Sequence, residues 1–138
     1  MHLLIFITLF ILLLMAVAHF YWAMGGNLGL DSAIPTKDGK KVINPGKVLT
    51  YIVGFIILGF AYLLFKLKFH DDITQLNTLI YAGYIVSVLF FIRFIGDFHL
   101  VGIFKTNKDT KFAYYDSRYF TPLCIYLSFA FGYLTYQI

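Results

Sequence analysis

The sequence predicts an all-α membrane protein: a four-helix transmembrane bundle with two long cytoplasmic loops that carry short β-hairpins. Three observations carry this expectation. Apolar runs at residues 3–24, 48–65, 76–95 and 120–138 are each close to the length of a membrane span. A hydrocarbon core of about 30 Å takes about 20 helical residues. Hydrophobic residues make up 60% of the 138-residue chain and charged residues 13%, about half the charge of a typical soluble domain. The basic residues also collect in two of the three connections between runs, which is the asymmetry that fixes membrane orientation.

The first run has no Lys or Arg before it and continues through Phe20, Tyr21 and Trp22. It reads as an uncleaved first span, although Ala16-Val17-Ala18 resembles a leader cleavage site. Gly25-Gly26 supplies a helix stop. The first loop then passes Asp31 and Pro35 to Thr36-Lys37-Asp38-Gly39-Lys40-Lys41. Asp-Gly between short extended runs predicts a tight hairpin. Asn44-Pro45-Gly46 launches the second span, which closes on Lys66 and Lys68, whose stems can snorkel to the interface. The short connection at 69–75 makes spans two and three antiparallel neighbours. In the third loop, Asn107-Lys108-Asp109 suggests a turn between extended arms at 101–106 and 110–115; the alternative is a short interfacial helix followed by a loop, which Gly102 disfavours. The pairs Gly83/Ser87 and Ser128/Gly132 are spaced for close helix approach in lipid. The whole chain, 1–138, reads as one integral membrane domain, because four short spans cannot form two independent cores.

Lys37, Lys40, Lys41, Lys47, Lys105, Lys108, Lys111 and Arg118 lie in the first and third loops, against Lys66 and Lys68 in the middle one. The positive-inside rule therefore places both long loops in the cytoplasm and both termini outside. The net charge of +4 needs no nucleic acid as partner, since anionic headgroups suffice. The single cysteine, Cys124, excludes an internal disulfide and reads as a small apolar side chain.

The polar residues inside the runs are the informative ones. His19 and Trp22 share a helix face. Arg93 ends the third span, with Asp97 four residues on, a spacing that pairs the two if the helix continues past Gly96. His99, Asp116, Arg118 and Tyr119 fall at the same end. Charge at membrane depth is costly and turns toward protein or a wet cavity. The expectation is a polar pocket at the cytoplasmic end, with His19 and Asp97 as candidates for moving a proton and Trp22, Arg93, Asp116 and Tyr119 as ligand-binding residues. The plainer alternatives are an interfacial Arg93–Asp97 salt bridge and a His19 bonded to a neighbouring carbonyl.

No Gly-x-Ser-x-Gly elbow, Walker loop or His-Glu-x-x-His occurs, and each would be needed for its chemistry. Glu is absent, so any general acid or base is His or Asp. Neither haem on paired histidines nor a metal on His19, His99 and Asp97 has a fixed spacing behind it. No cofactor and no metal are expected.

The order His19-x-x-Trp22-x-x-Gly25-Gly26, Pro35, Arg93-x-x-Gly96-Asp97-Phe98, Phe112-x-x-x-Asp116 and Tyr119-x-x-Pro122-Leu123-Cys124 resembles an uncharacterised family of small bacterial four-span integral membrane proteins, a domain of unknown function. The resemblance covers nearly the whole chain. It implies the architecture and a bacterial inner membrane, marks the same residues, and carries over no activity. The expected function is binding of, or action on, an amphiphilic or lipid-like ligand. The rivals are a non-catalytic accessory subunit of a larger membrane complex and a homo-oligomeric transporter or channel.

Overall fold

The computed structural model describes residues 1–34, 36–38, 40–41, 46–71, 73–96, 102–106 and 108–138. Four long helices organise it: α1 (His2–Ala23), α3 (Gly46–Lys68), α4 (Leu76–Ile95, entered through a 3-10 turn at Ile73–Gln75) and α6 (Thr121–Tyr136). Short elements fill the connections: α2 (Leu30–Ala33), strands β1 (Thr36–Lys37) and β2 (Lys40–Lys41), and α5 (Lys111–Tyr115). The helices starting at His2, Gly46 and Ile73 are long and apolar enough to cross a membrane. Their outward faces are apolar as well: Phe6, Phe10, Val17, Phe55 and Ile85 are all largely exposed. A soluble fold would bury such side chains, whereas lipid accepts them without cost.

Helix α1 packs along α3, and α4 packs along α6. The two pairs meet at Phe60, Phe90 and Phe131, whose ring centroids lie 5.7 to 6.5 Å apart. Leu12, Ala16, Leu64 and Leu127 complete a core drawn from all four helices. Lipid removes the hydrophobic driving force between helices, so small residues and hydrogen bonds carry more of the association. The two small-residue pairs anticipated from spacing face each other. Ser87 Oγ donates to the Ser128 carbonyl at 2.7 Å, and Gly83 lies against Thr135 so tightly that any added Cβ would collide with that side chain. Between α1 and α6, the buried Thr8 hydroxyl donates to the Leu4 carbonyl at 2.7 Å. Its oxygen is left to accept from the Tyr126 hydroxyl at 2.9 Å.

The Asp38 hairpin forms. β1 and β2 pair antiparallel, Thr36 with Lys41 and Lys37 with Lys40, and Asp38 takes a left-handed φ of 52°. Pro35, Gly39, Asn44, Pro45 and Asn107 lie outside the described residues.

The extended arm expected at 110–115 is corrected: these residues open a helix. Thr110 caps it, its side chain accepting from the Ala113 N–H at 3.0 Å, which satisfies one of the orphan donors of a helix start. From Lys111 the chain runs through α5, a π-helical turn (Asp116–Phe120) and α6 without a break. Pro122 sits in the first turn of α6. Proline lacks an N–H and crowds the carbonyl four residues back, and a widened turn just before it accommodates both faults. The Thr121 N–H accordingly bonds to the Asp116 carbonyl, five residues back.

Loops one and three share one end of the molecule, where Lys111 Nζ donates to Asp31 Oδ2 at 2.7 Å and α2 packs on α5. At the other end, His70 of the short connection lines a cavity with Ile5 and Gln137.

Candidate functional site

The π-turn aims Asp116 into the protein, where its side chain is fully buried. A buried carboxylate must have its lone pairs filled, and four donors converge on this one. Arg93 Nη2, from the last turn of α4, donates to Oδ1 at 2.6 Å. Three donors reach Oδ2: the Gly102 N–H at 2.9 Å, Lys105 Nζ at 3.0 Å and Thr121 Oγ1 at 3.1 Å. Burial alone would push the Asp116 carboxyl up, but the Arg93 guanidinium, Lys105 and the Gly102 N–H outweigh it and hold it below the usual carboxylate range.

Lys105 is itself buried. Its three donor hydrogens are spent on Asp116 Oδ2, the Gly102 carbonyl and Ser117 Oγ. Gly102 makes the turn possible. It adopts a φ of +86°, and an added Cβ would run into the Ile95 backbone carbonyl. Only glycine meets both conditions at no steric cost.

Arg93 differs from its partners in being unfinished. Its side chain is 33% exposed, and among the described residues its buried Nη1 has no hydrogen-bond partner. The guanidinium is thus oriented from one side by a buried carboxylate while holding spare donor capacity.

The other described candidates make contacts of their own. His19 Nδ1–H donates to the Met15 carbonyl at 2.7 Å, one turn back on its own helix. The Trp22 ring meets His19 edge-on at 5.4 Å, and its Nε1–H donates to the Leu28 carbonyl at 2.9 Å. Trp22 lines a cleft of about 190 Å³ with Ile34, Lys41, Gly46, Lys47 and Thr50, a set without His19 or Arg93. Tyr119 stacks on Tyr115 at 5.9 Å, with the Arg118 guanidinium 6.0 Å from its ring. Of the expected site residues, Arg93 and Asp116 come together. Asp97 and His99 lie outside the described residues.

A family model described as a protein of unknown function, DUF3995, matches residues 12–131. The chain belongs to the DUF3995 family. No curated protein and no solved structure matches it. The stretch matched by the DUF3995 model contains the whole Asp116 node together with His19, Trp22 and Tyr119.

Chemically, this DUF3995 node is built to hold charge. Ser117 and Lys105 touch, as in a serine–lysine dyad, but a lysine general base must be neutral. Here Lys105 Nζ donates to Ser117 Oγ itself, as well as to Asp116 and the Gly102 carbonyl, so it does not accept from the serine. Among the described residues no three His, Cys, Asp or Glu side chains gather as metal ligands. Lys105 and Thr121 are the members that sequence reasoning missed. Lys105 looked like one more loop lysine, although its neighbours Ile103 and Phe104 are apolar, and that is the signal that could have flagged it.

Proposed function

We propose that this DUF3995 protein crosses the membrane four times, with α6 as the fourth span and both long loops in the cytoplasm, and binds an amphiphile with an anionic head at the loop end. The half-satisfied guanidinium of Arg93 carries the reading. A buried Asp116 fixes its orientation, and among the described residues Nη1 has no partner. Arginine suits this task because its planar fork can hold a carboxylate on one side and present donors on the other. Tyr115 and Tyr119, stacked on the turn that bears Asp116, supply apolar surface for the body of the ligand, and aromatic rings of this kind favour the headgroup zone.

The test is native mass spectrometry of the detergent-purified protein with phosphatidylglycerol or phosphatidylcholine added. Arg93→Lys keeps a cation for Asp116 but loses the fork. It should retain fewer phosphatidylglycerol molecules than wild type, with phosphatidylcholine unchanged. Equal retention by the two proteins would remove Arg93 from the site.

One observation favours a second reading, an accessory subunit docked on a larger complex. A groove of about 390 Å³ between α4 and α6 is floored by Ser87, Ser128 and Gly132, small residues of the kind that admit another helix in lipid. Copurification of a stoichiometric membrane protein, lost on Gly132→Leu, would put this reading first.

A further inference from the structure

We infer that the cleft beside Trp22 is a second anion site, distinct from Arg93, that takes a phosphate ester head at the cytoplasmic surface. The cleft is a built feature. Trp22 is fixed by its bond to the Leu28 carbonyl at 2.9 Å, the Leu28 N–H reaches the Tyr21 hydroxyl at 3.3 Å, and Ile34 closes the floor as a buried side chain. Two lysines, Lys41 and Lys47, stand on its rim, and no acidic residue is among the described residues that line it. Among the described residues neither lysine is in an ion pair. Two other lysines at this end are paired, Lys105 with Asp116 and Lys111 with Asp31.

The chemistry of the ligand follows from the lining. Two ammonium groups match a phosphate monoester, which carries about −1.5 to −2 charges at pH 7. Lysine binds phosphate as a point charge without demanding a planar partner. The cleft opens beside the first turn of α3, at Gly46 and Lys47, where the helix dipole adds to the same sign. The indole face gives a wall for the carbon adjoining the phosphate. The same head could belong to a lipid in the inner leaflet or to a soluble phosphate ester, and the test separates the two.

Trp22 is the chain's sole tryptophan, so intrinsic fluorescence reads this cleft directly. The protein is placed in nanodiscs of phosphatidylcholine, with phosphatidic acid added to the lipid in one arm and glycerol 3-phosphate added to the buffer in the other. A saturable change of emission is expected. Lys41→Gln/Lys47→Gln should weaken it roughly tenfold or more, given what each lysine near an anionic surface contributes. Lys66→Gln/Lys68→Gln, which removes equal charge at the opposite end, should leave it alone. So should Arg93→Lys, which makes this outcome independent of the Arg93 reading. Response to phosphatidic acid alone assigns a lipid head, and response to glycerol 3-phosphate alone assigns a soluble ester. No response in either arm overturns the inference. It is equally overturned if the Lys41/Lys47 variant, with unchanged melting temperature, responds as wild type, or if the Lys66/Lys68 variant loses as much.

Discussion

Replacing Asp116 with Asn keeps the shape of the side chain and removes the charge on which the node depends. Asp116 is fully buried, and two cations donate to it. Removing one partner of a buried ion pair costs about 3–5 kcal/mol, because the other charge is left uncompensated. Two circumstances set the value here. The Lys105 side chain is only 2% exposed and cannot turn to water without opening the 102–105 turn. Arg93 is 33% exposed, so solvent screens its share. The loss should therefore sit near the lower bound, about 3 kcal/mol, which for a chain of this size is a fall in melting temperature of roughly 10 °C. The assay uses a residue already in place: Cys124 is the single cysteine and is buried, so a thiol-reactive dye reports unfolding in detergent. Asp109→Asn, at an exposed position, is the control. Lys105→Met/Asp116→Leu should recover part of the loss, since well-packed apolar pairs often replace buried ion pairs without penalty. A melting temperature for Asp116→Asn equal to that of the control would refute the reasoning.

The same node predicts a pH dependence. The Asp116 carboxyl is held below its ordinary value of 3.8 in the folded protein, so its stabilisation is present above that pH and is lost as pH falls through the lowered value. The gap in melting temperature between wild type and Asp116→Asn should accordingly close in acid below about pH 4, and a gap that widens there would contradict the assignment. Gly102→Ala adds a Cβ against the Ile95 carbonyl at a positive φ. It should destabilise by about 1–3 kcal/mol, and dye melting checks it. For topology, Asp38→Cys and Asp71→Cys in a Cys124→Ser background report opposite sides. An impermeant maleimide on intact cells should label position 71 and spare position 38, and the reverse pattern would invert the proposed orientation.

Much of the architecture was legible because lipid simplifies the code. The runs at 3–24, 48–65 and 76–95 differ from α1, α3 and the α4 span by at most a few residues at either end, since a span is set by length and apolarity alone. Arg93 and Asp116 stood out because charge there is costly. Their pairing did not, because helix spacing favoured Asp97. α4 ends at Ile95, where the Gly96 N–H closes on the Ile92 carbonyl at 2.8 Å, and the partner seen for Arg93 comes 23 positions later. That contact depends on the π-turn before Pro122 and on Gly102 folding back to α4. Both are tertiary features that no periodicity encodes. The helix at Lys111–Tyr115 was hidden for a more local reason: a five-residue element shows less than one and a half turns of pattern, and its Thr110 cap was its one marker.

The most direct measurement of where an anionic head binds is photo-crosslinking. A phosphatidylglycerol carrying a headgroup-proximal diazirine would be activated with the wild-type protein in nanodiscs, and the adducts mapped by peptide mass spectrometry. Adducts should concentrate on the end of α4 around Phe94 and on the Tyr115–Tyr119 turn, and they should fall away in Arg93→Lys. Adducts spread evenly over the outward faces of the helices, or gathered beside His70 at the opposite end, would contradict an Arg93-centred site.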